Sequence, residues 1–127
     1  MDLESVPTLA VIYVGDRARM CRFYERCFGW SVVDEGHRYC GMRSRAGLVT
    51  FVETADARVT TNPAPRRSAT AIKLVVEVDN IDDATRNIAA LGGRIDPADR
   101  AWTFRGMTHH DVIDPEGNVL QLVQIGP

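Results

Sequence analysis

The chain has 127 residues, 45% of them hydrophobic and 25% charged, with a formal net charge of -2. These values predict one soluble globular domain and give no indication of nucleic-acid or acidic-membrane binding. No apolar run reaches the length of a membrane span, and the N-terminus lacks the basic and apolar regions of a signal peptide. Three cysteines without metal or redox spacing indicate reduced thiols in a cytoplasm: Cys21, Cys27 and Cys40.

The first predicted elements are a strand over residues 8–14 and an amphipathic helix after the Gly15-Asp16 break. Asp16 is a good N-cap, and Gly29 supplies the C-terminal stop. Between them, apolar residues recur at the spacing of one helix face: Met20, Phe23, Tyr24, Cys27 and Phe28. Three short strands are then predicted, over Trp30–Val33, His37–Arg43 and Leu48–Glu53.

Residues 54–69 contain two prolines and little periodicity, which is typical of a linker. After them the same order of elements returns. A strand is predicted over 71–78, then a helix capped by Asn80 and ended by Gly92-Gly93. Strands are predicted to follow over 94–96, within 102–113 and over 119–125.

A shift of 64 residues aligns the two halves of the chain, placing Val14 on Val78 and Asp16 on Asn80. The sequence therefore predicts an α+β fold of two tandem βαβββ modules, 7–53 and 70–126, within one domain of residues 1–127 joined by the linker 54–69. Each module would pack one helix on a half-open sheet, and the two sheets would enclose a cleft.

The last two strands are predicted to form a β-hairpin around the turn Asp114–Asn118, where Pro, Gly and Asn follow one another. If Leu120 and Leu122 face the core, Gln121 is the polar residue on the opposite face between two valines. Gln121 is therefore a candidate site residue. The alternative is an ordinary amide on a solvated sheet face.

These patterns resemble the vicinal oxygen chelate superfamily, which contains glyoxalases, bleomycin-resistance proteins and extradiol dioxygenases. The resemblance rests on the paired βαβββ modules, the strand-Gly-Asp-helix opening with FYERCFGW, and the closing DPEGNVLQLV. It covers roughly residues 7–125. It implies a divalent metal held by His, Gln or Glu on the first and last strands of the modules.

The positions that correspond to the family's metal ligands are occupied here by Leu9, Thr50 (or Val49 in a shifted register), Lys73 and Gln121. These side chains supply no negative charge, and an ammonium would repel a divalent cation. The sequence therefore predicts no metal and no other cofactor.

By resemblance to fosfomycin-resistance enzymes, His109 and Asp111 would face the cleft and converge there with Lys73 and Gln121. Lys73 would anchor an anion or, if uncharged, act as a base or Schiff-base amine, and the nearby Asp111 favours the anchor. His109 would be an acid, a base or a hydrogen-bond donor. The alternative is a structural Lys73–Asp111 ion pair. We expect a Lys73→Met change to leave the fold intact.

Aromatic residues are predicted to complete the pocket. Tyr13 and Trp102 are the candidate ligand-binding aromatics. Other residues would form the second wall or lie near the mouth: Leu9, Val11, Trp30, Tyr39 and Phe104.

Three functions stay open. The first is a metal-independent protein that binds or sequesters an aromatic or anionic metabolite or antibiotic. The second is a metal-free isomerase, cyclase or lyase that uses His109 or Lys73 as the catalytic group. The third is a metal-dependent lyase or dioxygenase with misaligned ligands, which is disfavoured because the adjacent His109 and His110 point to opposite faces of a strand. The partners implied by the resemblance are a small-molecule ligand and a second copy of the chain in a homodimer.

Overall fold

The order of helices and strands is βαβββ twice over. A computed structural model describes residues 6–57, 59, 70–95 and 100–125. The chain divides into two units, residues 1–59 and 60–127. Of the predicted linker, residues 58 and 60–69 lie outside the described part of the chain. The α+β class with two βαβββ modules, expected from the sequence, is confirmed.

The first unit contains β1 (Thr8–Val14), α1 (Arg17–Phe28), β2 (Ser31–Gly36), β3 (Tyr39–Arg43) and β4 (Leu48–Glu53). Its sheet has the order β1-β4-β3-β2, with β1 parallel to β4 and the other pairs antiparallel. Tyr24 of α1 stacks on Trp30, with ring centroids 4.9 Å apart, and lies 5.0 Å from the ring of Phe51 on β4. These contacts bury the predicted apolar face of α1 against one face of the sheet.

Three strand boundaries in this unit differ from those expected, and one of them is the end of β2, which lies at Gly36 and not at Val33. The strand predicted from Trp30 begins one residue later, because Trp30 is buried in the core beside Tyr24. The strand predicted from His37 begins at Tyr39, because Arg38 has a positive φ of 65° and forms the turn between β2 and β3. Trp30 is thus a core residue.

The second unit contains β5 (Leu74–Val78), α2 (Ile81–Ala90), β6 (Trp102–Phe104), β7 (Met107–Ile113) and β8 (Val119–Gln124). Its sheet has the order β5-β8-β7-β6, with β5 parallel to β8 and the other pairs antiparallel. One face of this sheet packs on α2 through buried aliphatic residues: Val76, Val78, Ile81, Ala84, Ile88, Val112, Leu120 and Leu122. Among the described residues, neither helix is long and apolar enough to cross a membrane.

The opening strand of the second unit is shorter than expected. It was predicted over 71–78 but begins at Leu74, which pairs with Leu120. The partner strand β8 starts only at Val119, immediately after a turn, so residues 71 and 72 have no neighbour there to pair with. Lys73 therefore lies one residue before β5. The strand predicted over 94–96 is reduced to a single bridge between Arg94 and Ile113, and residue 96 lies outside the described residues.

The hairpin predicted around Asp114–Asn118 is confirmed by the pairing of β7 with β8. The Asp114 carboxylate accepts hydrogen bonds from the backbone N–H groups of Glu116 and Asn118, both at 2.9 Å, and from the Asn118 amide at 2.8 Å. Gly117 takes the positive φ of 93° that the turn requires. Leu120 and Leu122 are buried on the helix side, so Gln121 belongs to the opposite face.

The N-cap of α1 leads to a stability prediction. The Asp16 carboxylate accepts a hydrogen bond from the backbone N–H of Arg19 at 3.1 Å, as the sequence predicted. We expect Asp16→Ala to lower the free energy of unfolding by about 1 kcal/mol, because the N–H loses its partner at the start of the helix. Asp16→Ser, which keeps a capping oxygen, is the matched control. Urea denaturation gives both values, and an unchanged midpoint in the alanine variant would exclude the cap.

Candidate functional site

The face of the second sheet opposite α2 carries the candidate site residues. Alternation along β7 and β8 places His109, Asp111 and Gln121 on this face, and Gln121 pairs directly with Asp111 across the strands. Trp102 of β6 pairs with His109 on the next strand. Lys73, just before β5, reaches the same group. We call Lys73, Trp102, His109, Asp111 and Gln121 the Lys73 cluster.

An ion pair joins two members of the cluster. The Lys73 Nζ lies 3.0 Å from Oδ2 of Asp111, where it donates a hydrogen bond. The Asp111 side chain is 1% exposed, whereas that of Lys73 is 21% exposed. A carboxylate so deeply buried requires a compensating charge, while the Lys73 side chain keeps part of its surface exposed to solvent. From the sequence we expected Lys73→Met to leave the fold intact. The burial of Asp111 argues against this expectation, because the substitution leaves the buried carboxylate without its counter-ion.

His109 is buried and has a hydrogen-bond partner at each ring nitrogen. Its Nδ1 lies 3.1 Å from Nε2 of Gln121, and its Nε2 lies 3.3 Å from the backbone oxygen of Phe104. The adjacent His110 pairs with Leu122, on the helix side, and its Nδ1 lies 2.8 Å from the backbone oxygen of Asp111. The two histidines therefore point away from each other, as alternation along the strand predicts.

Aromatic rings adjoin these polar groups. The Trp102 ring stacks on that of His109, with centroids 5.4 Å apart and an interplanar angle of 14°. The Lys73 ammonium lies 6.0 Å from the Trp102 centroid, at the limit of a cation–π contact. Phe104 lies 5.9 Å from His109 and is half exposed. Two aromatic rings thus adjoin the histidine on this face, and the Lys73 ammonium lies near one of them, that of Trp102.

Tyr13, the other predicted aromatic ligand contact, lies on β1 in the first unit and is 63% exposed. Leu9 and Val11 are exposed on the same strand and alternate with less exposed residues. This face of β1 is apolar and accessible. The participation of Tyr13 in ligand binding stays a prediction.

The residues that the resemblance assigns to the family's metal positions do not fit a divalent cation. Lys73 carries a positive charge and is held against Asp111, while Gln121 directs its amide nitrogen at His109. In the first unit, Leu9 has no donor atom and Thr50 is a neutral residue of β4. Over residues 6–57, 59, 70–95 and 100–125, no three His, Cys, Asp or Glu side chains form a group suited to a metal. These positions supply no anionic oxygen and no imidazole nitrogen, so they offer no negative charge to offset the desolvation of a divalent cation.

The three cysteines are free thiols in the first unit. Burial raises the pKa of Cys21 to about 12, and a hydrogen bond with Cys40 adds to the effect. Burial alone raises the pKa of Cys27 to about 12, and it also raises the pKa of Cys40. A thiol with a raised pKa holds little thiolate at neutral pH, so none of the three has the character of a nucleophile.

Two groups on the site's face of the sheet were not identified from the sequence. The backbone oxygen of Phe104 is a partner of His109, and only the pairing of β6 with β7 brings it there. Glu77 lies on β5 opposite Val123 and so belongs to the same sheet face as His109. The alternation of β5 already indicated this for Glu77, since it is four residues after Lys73.

The comparison with known protein families agrees with this fold. The model of the Glyoxalase/Bleomycin resistance protein/Dioxygenase superfamily matches residues 7–122, nearly the whole chain. The chain belongs to this superfamily. No curated protein matches the sequence.

Solved structures show the same fold at low sequence identity. A glyoxalase/bleomycin resistance protein/dioxygenase family enzyme from Burkholderia phytofirmans PsJN is 20% identical, with a TM-score of 0.71 over 99% of this chain and 100% of that chain. The fosfomycin resistance protein FosX from Mesorhizobium loti is 17% identical, with a TM-score of 0.68 and coverages of 96% and 93%. TioX from Micromonospora sp. ML1 is 18% identical, with a TM-score of 0.66 and coverages of 94% and 98%. At these identities the similarity concerns the fold alone.

Proposed function

We propose that this superfamily member is a metal-independent binding protein that holds a planar, anionic small molecule at the Lys73 cluster. The observation that carries the proposal is the position of the Lys73 ammonium, 3.0 Å from the Asp111 carboxylate and 6.0 Å from the Trp102 ring. A fixed cation beside an aromatic ring offers both an anchor for a carboxylate or enolate and a surface for a flat ring.

The donor capacity of Lys73 supports this reading. An ammonium has three N–H donors, and the hydrogen bond to Asp111 accounts for one of them. The Lys73 side chain keeps 21% of its surface exposed, so an incoming anion can reach the nitrogen. Phe104 is half exposed on the same face and adds apolar surface. The proposed ligand therefore places its anion at Lys73 and its ring towards Trp102 and Phe104.

The environment of His109 supports binding over metal-free catalysis. A general base needs a ring nitrogen with a free lone pair within reach of the substrate. Nδ1 of His109 faces the Gln121 amide and Nε2 faces the Phe104 carbonyl, and the side chain is only 5% exposed. An isomerase, cyclase or lyase that used His109 would have to break one of these hydrogen bonds in every cycle.

The proposal is tested by the binding of a charged probe and its neutral analogue. We expect benzoate to bind in buffer containing a chelator, and benzamide, of the same shape without the charge, to bind at least tenfold more weakly. Lys73 is the only lysine, so incorporation of isotope-labelled lysine gives the NMR signals of one lysine side chain and keeps all three of its N–H donors. Those signals should shift with benzoate and not with benzamide. Equal binding of the two probes, or no shift, would refute the proposal.

Metal independence has its own test. We expect elemental analysis of the purified protein to find less than one tenth of an equivalent of Zn, Ni, Mn, Fe or Co, roughly the level of adventitious binding, because Lys73 and Gln121 offer no anionic donor. Gln121→Glu, which restores a carboxylate at a family ligand position, serves as the comparison. One equivalent of a divalent metal in the unaltered protein would contradict this expectation.

We further propose that the protein acts as a homodimer in the cytoplasm. The free cysteines agree with a reducing compartment, and the dimer rests on the resemblance to the superfamily. Sedimentation equilibrium would distinguish the dimer from a monomer.

A further inference from the structure

We propose that His109 is a positioning residue that fixes the orientation of the Gln121 amide, so that Gln121 presents its oxygen, and not its nitrogen, to the ligand. The inference rests on the proposed function and extends it to ligand choice. The site would then select anions that carry an N–H or O–H donor next to the anchored group over those that carry only acceptors.

Nε2 of the His109 imidazole must carry the ring proton. Nε2 of His109 lies 3.3 Å from the backbone oxygen of Phe104, and a carbonyl oxygen can only accept a hydrogen bond. Nε2 must therefore carry the proton. In the neutral imidazole the other nitrogen, Nδ1, then has a lone pair and accepts.

The second step concerns the amide. Nδ1 of His109 lies 3.1 Å from the Gln121 side chain, and an accepting nitrogen requires the NH₂ group at that position. The Oε1 atom of Gln121 consequently points away from the imidazole. Gln121 is partly exposed, so this oxygen is the atom that the amide offers to a ligand.

Lys73 and Gln121, the two polar groups proposed to contact the ligand, thus have opposite hydrogen-bonding roles. Lys73 donates and attracts an anion, while Gln121 accepts. Asp111, which pairs with Gln121 across the strands, is the residue that holds the Lys73 ammonium. A ligand that satisfies both would carry a carboxylate or enolate and, on the same planar framework, an amino or hydroxyl group.

The tautomer can be read in the ligand-free protein, independently of any binding. Long-range proton–nitrogen NMR correlations distinguish a neutral ring protonated at Nε2 from one protonated at Nδ1 and from an imidazolium. The three histidines are assigned with single His→Gln variants at positions 37, 109 and 110. We expect His109 to carry its ring proton at Nε2, which faces the Phe104 carbonyl. A ring that carries a proton at Nδ1 would overturn the inference.

Selection is measured with hydroxybenzoates and the matching methoxybenzoates, which differ in one donor proton. We expect the best hydroxybenzoate to bind about fivefold more tightly than its methoxy partner, the ratio for one hydrogen bond. Benzoate, which lacks both the hydroxyl and the methoxy group, gives the affinity of the anion alone.

Two variants of the histidine separate positioning from a merely structural role. His109→Asn places an accepting oxygen near the position of Nδ1, so the hydroxy-to-methoxy ratio should be retained. His109→Leu removes the acceptor, and the ratio should approach one even if benzoate still binds. Gln121→Met keeps the volume of the side chain without the amide and should also give a ratio near one.

The outcomes are distinct. An Nε2 tautomer with no discrimination between hydroxy and methoxy probes would overturn the inference while benzoate binding upholds the proposed function. An Nε2 tautomer with no binding of any benzoate would overturn the proposed function and, with it, the selection of donor-bearing ligands. Loss of discrimination in His109→Leu with its retention in His109→Asn would support the inference.

Discussion

Replacing Lys73 by methionine is expected to lower the free energy of unfolding by about 3 kcal/mol, the lower end of the range for breaking a buried ion pair. The reason is that the Asp111 carboxylate stays buried when the Lys73 ammonium is removed. Asp111 is 1% exposed and cannot reach solvent, whereas the methionine has the length of the lysine stem without its charge. Chemical denaturation of the two proteins side by side measures the difference.

The reciprocal change is the control. Asp111→Asn removes the buried charge and leaves a Lys73 ammonium with 21% of its side chain exposed, so it should cost only about 1 kcal/mol. The double variant Lys73→Met/Asp111→Asn removes both charges and should be more stable than Lys73→Met alone, because no uncompensated charge remains buried. A Lys73→Met protein as stable as the unaltered chain would show that the pair contributes nothing to folding.

The same three proteins give the second large effect, on ligand binding. We expect Asp111→Asn to bind benzoate more tightly by about 1 kcal/mol, because the ligand carboxylate no longer competes with a carboxylate 3.0 Å from the Lys73 nitrogen. The double variant should bind it more weakly than Asp111→Asn by roughly 1.5–3 kcal/mol, the range for hydrogen bonds to charged groups. Isothermal titration calorimetry on the folded variants provides the dissociation constants.

This comparison decides between the anchor and the structural ion pair. If Lys73 only neutralises Asp111, benzoate binding will be the same in Asp111→Asn and in the double variant, whatever their stabilities. If Lys73 anchors the anion, stability and affinity change in opposite directions in Asp111→Asn. Benzamide should respond to neither change and so controls for altered shape at the site.

Much of the fold follows from local patterns in the chain. The two helices and the closing hairpin were predictable because caps, glycine stops and apolar spacing act within a few residues of sequence. Asp16 and Asn80 each accept a hydrogen bond from the N–H three residues on, and Gly29 ends α1 with a φ of 71°. The shift of 64 residues then indicated that the second half repeats the first.

Strand boundaries were less predictable, because a strand ends where its neighbour ends. Lys73 lies in an apolar run that predicts a strand from residue 71, yet β5 begins at Leu74, since β8 begins only at Val119 and leaves residues 71 and 72 without a partner. The partner strand β8 is far from β5 in sequence. Trp30 belongs to the core and not to β2, since the ring of Tyr24 from the preceding helix lies beside it.

The sequence by itself determined which residue types occupy the candidate site: alternation along the closing strand singled out Gln121, and the resemblance added Lys73, His109 and Asp111. Only the tertiary structure decided what these residues do to one another. The burial of Asp111 makes Lys73 a counter-ion, and the carbonyl of Phe104 fixes the proton of His109 and so the amide of Gln121. Burial and hydrogen-bond direction depend on strands that meet across the sheet. Alternation along a strand shows which face of the sheet a side chain occupies. The groups that this side chain contacts come from other parts of the chain.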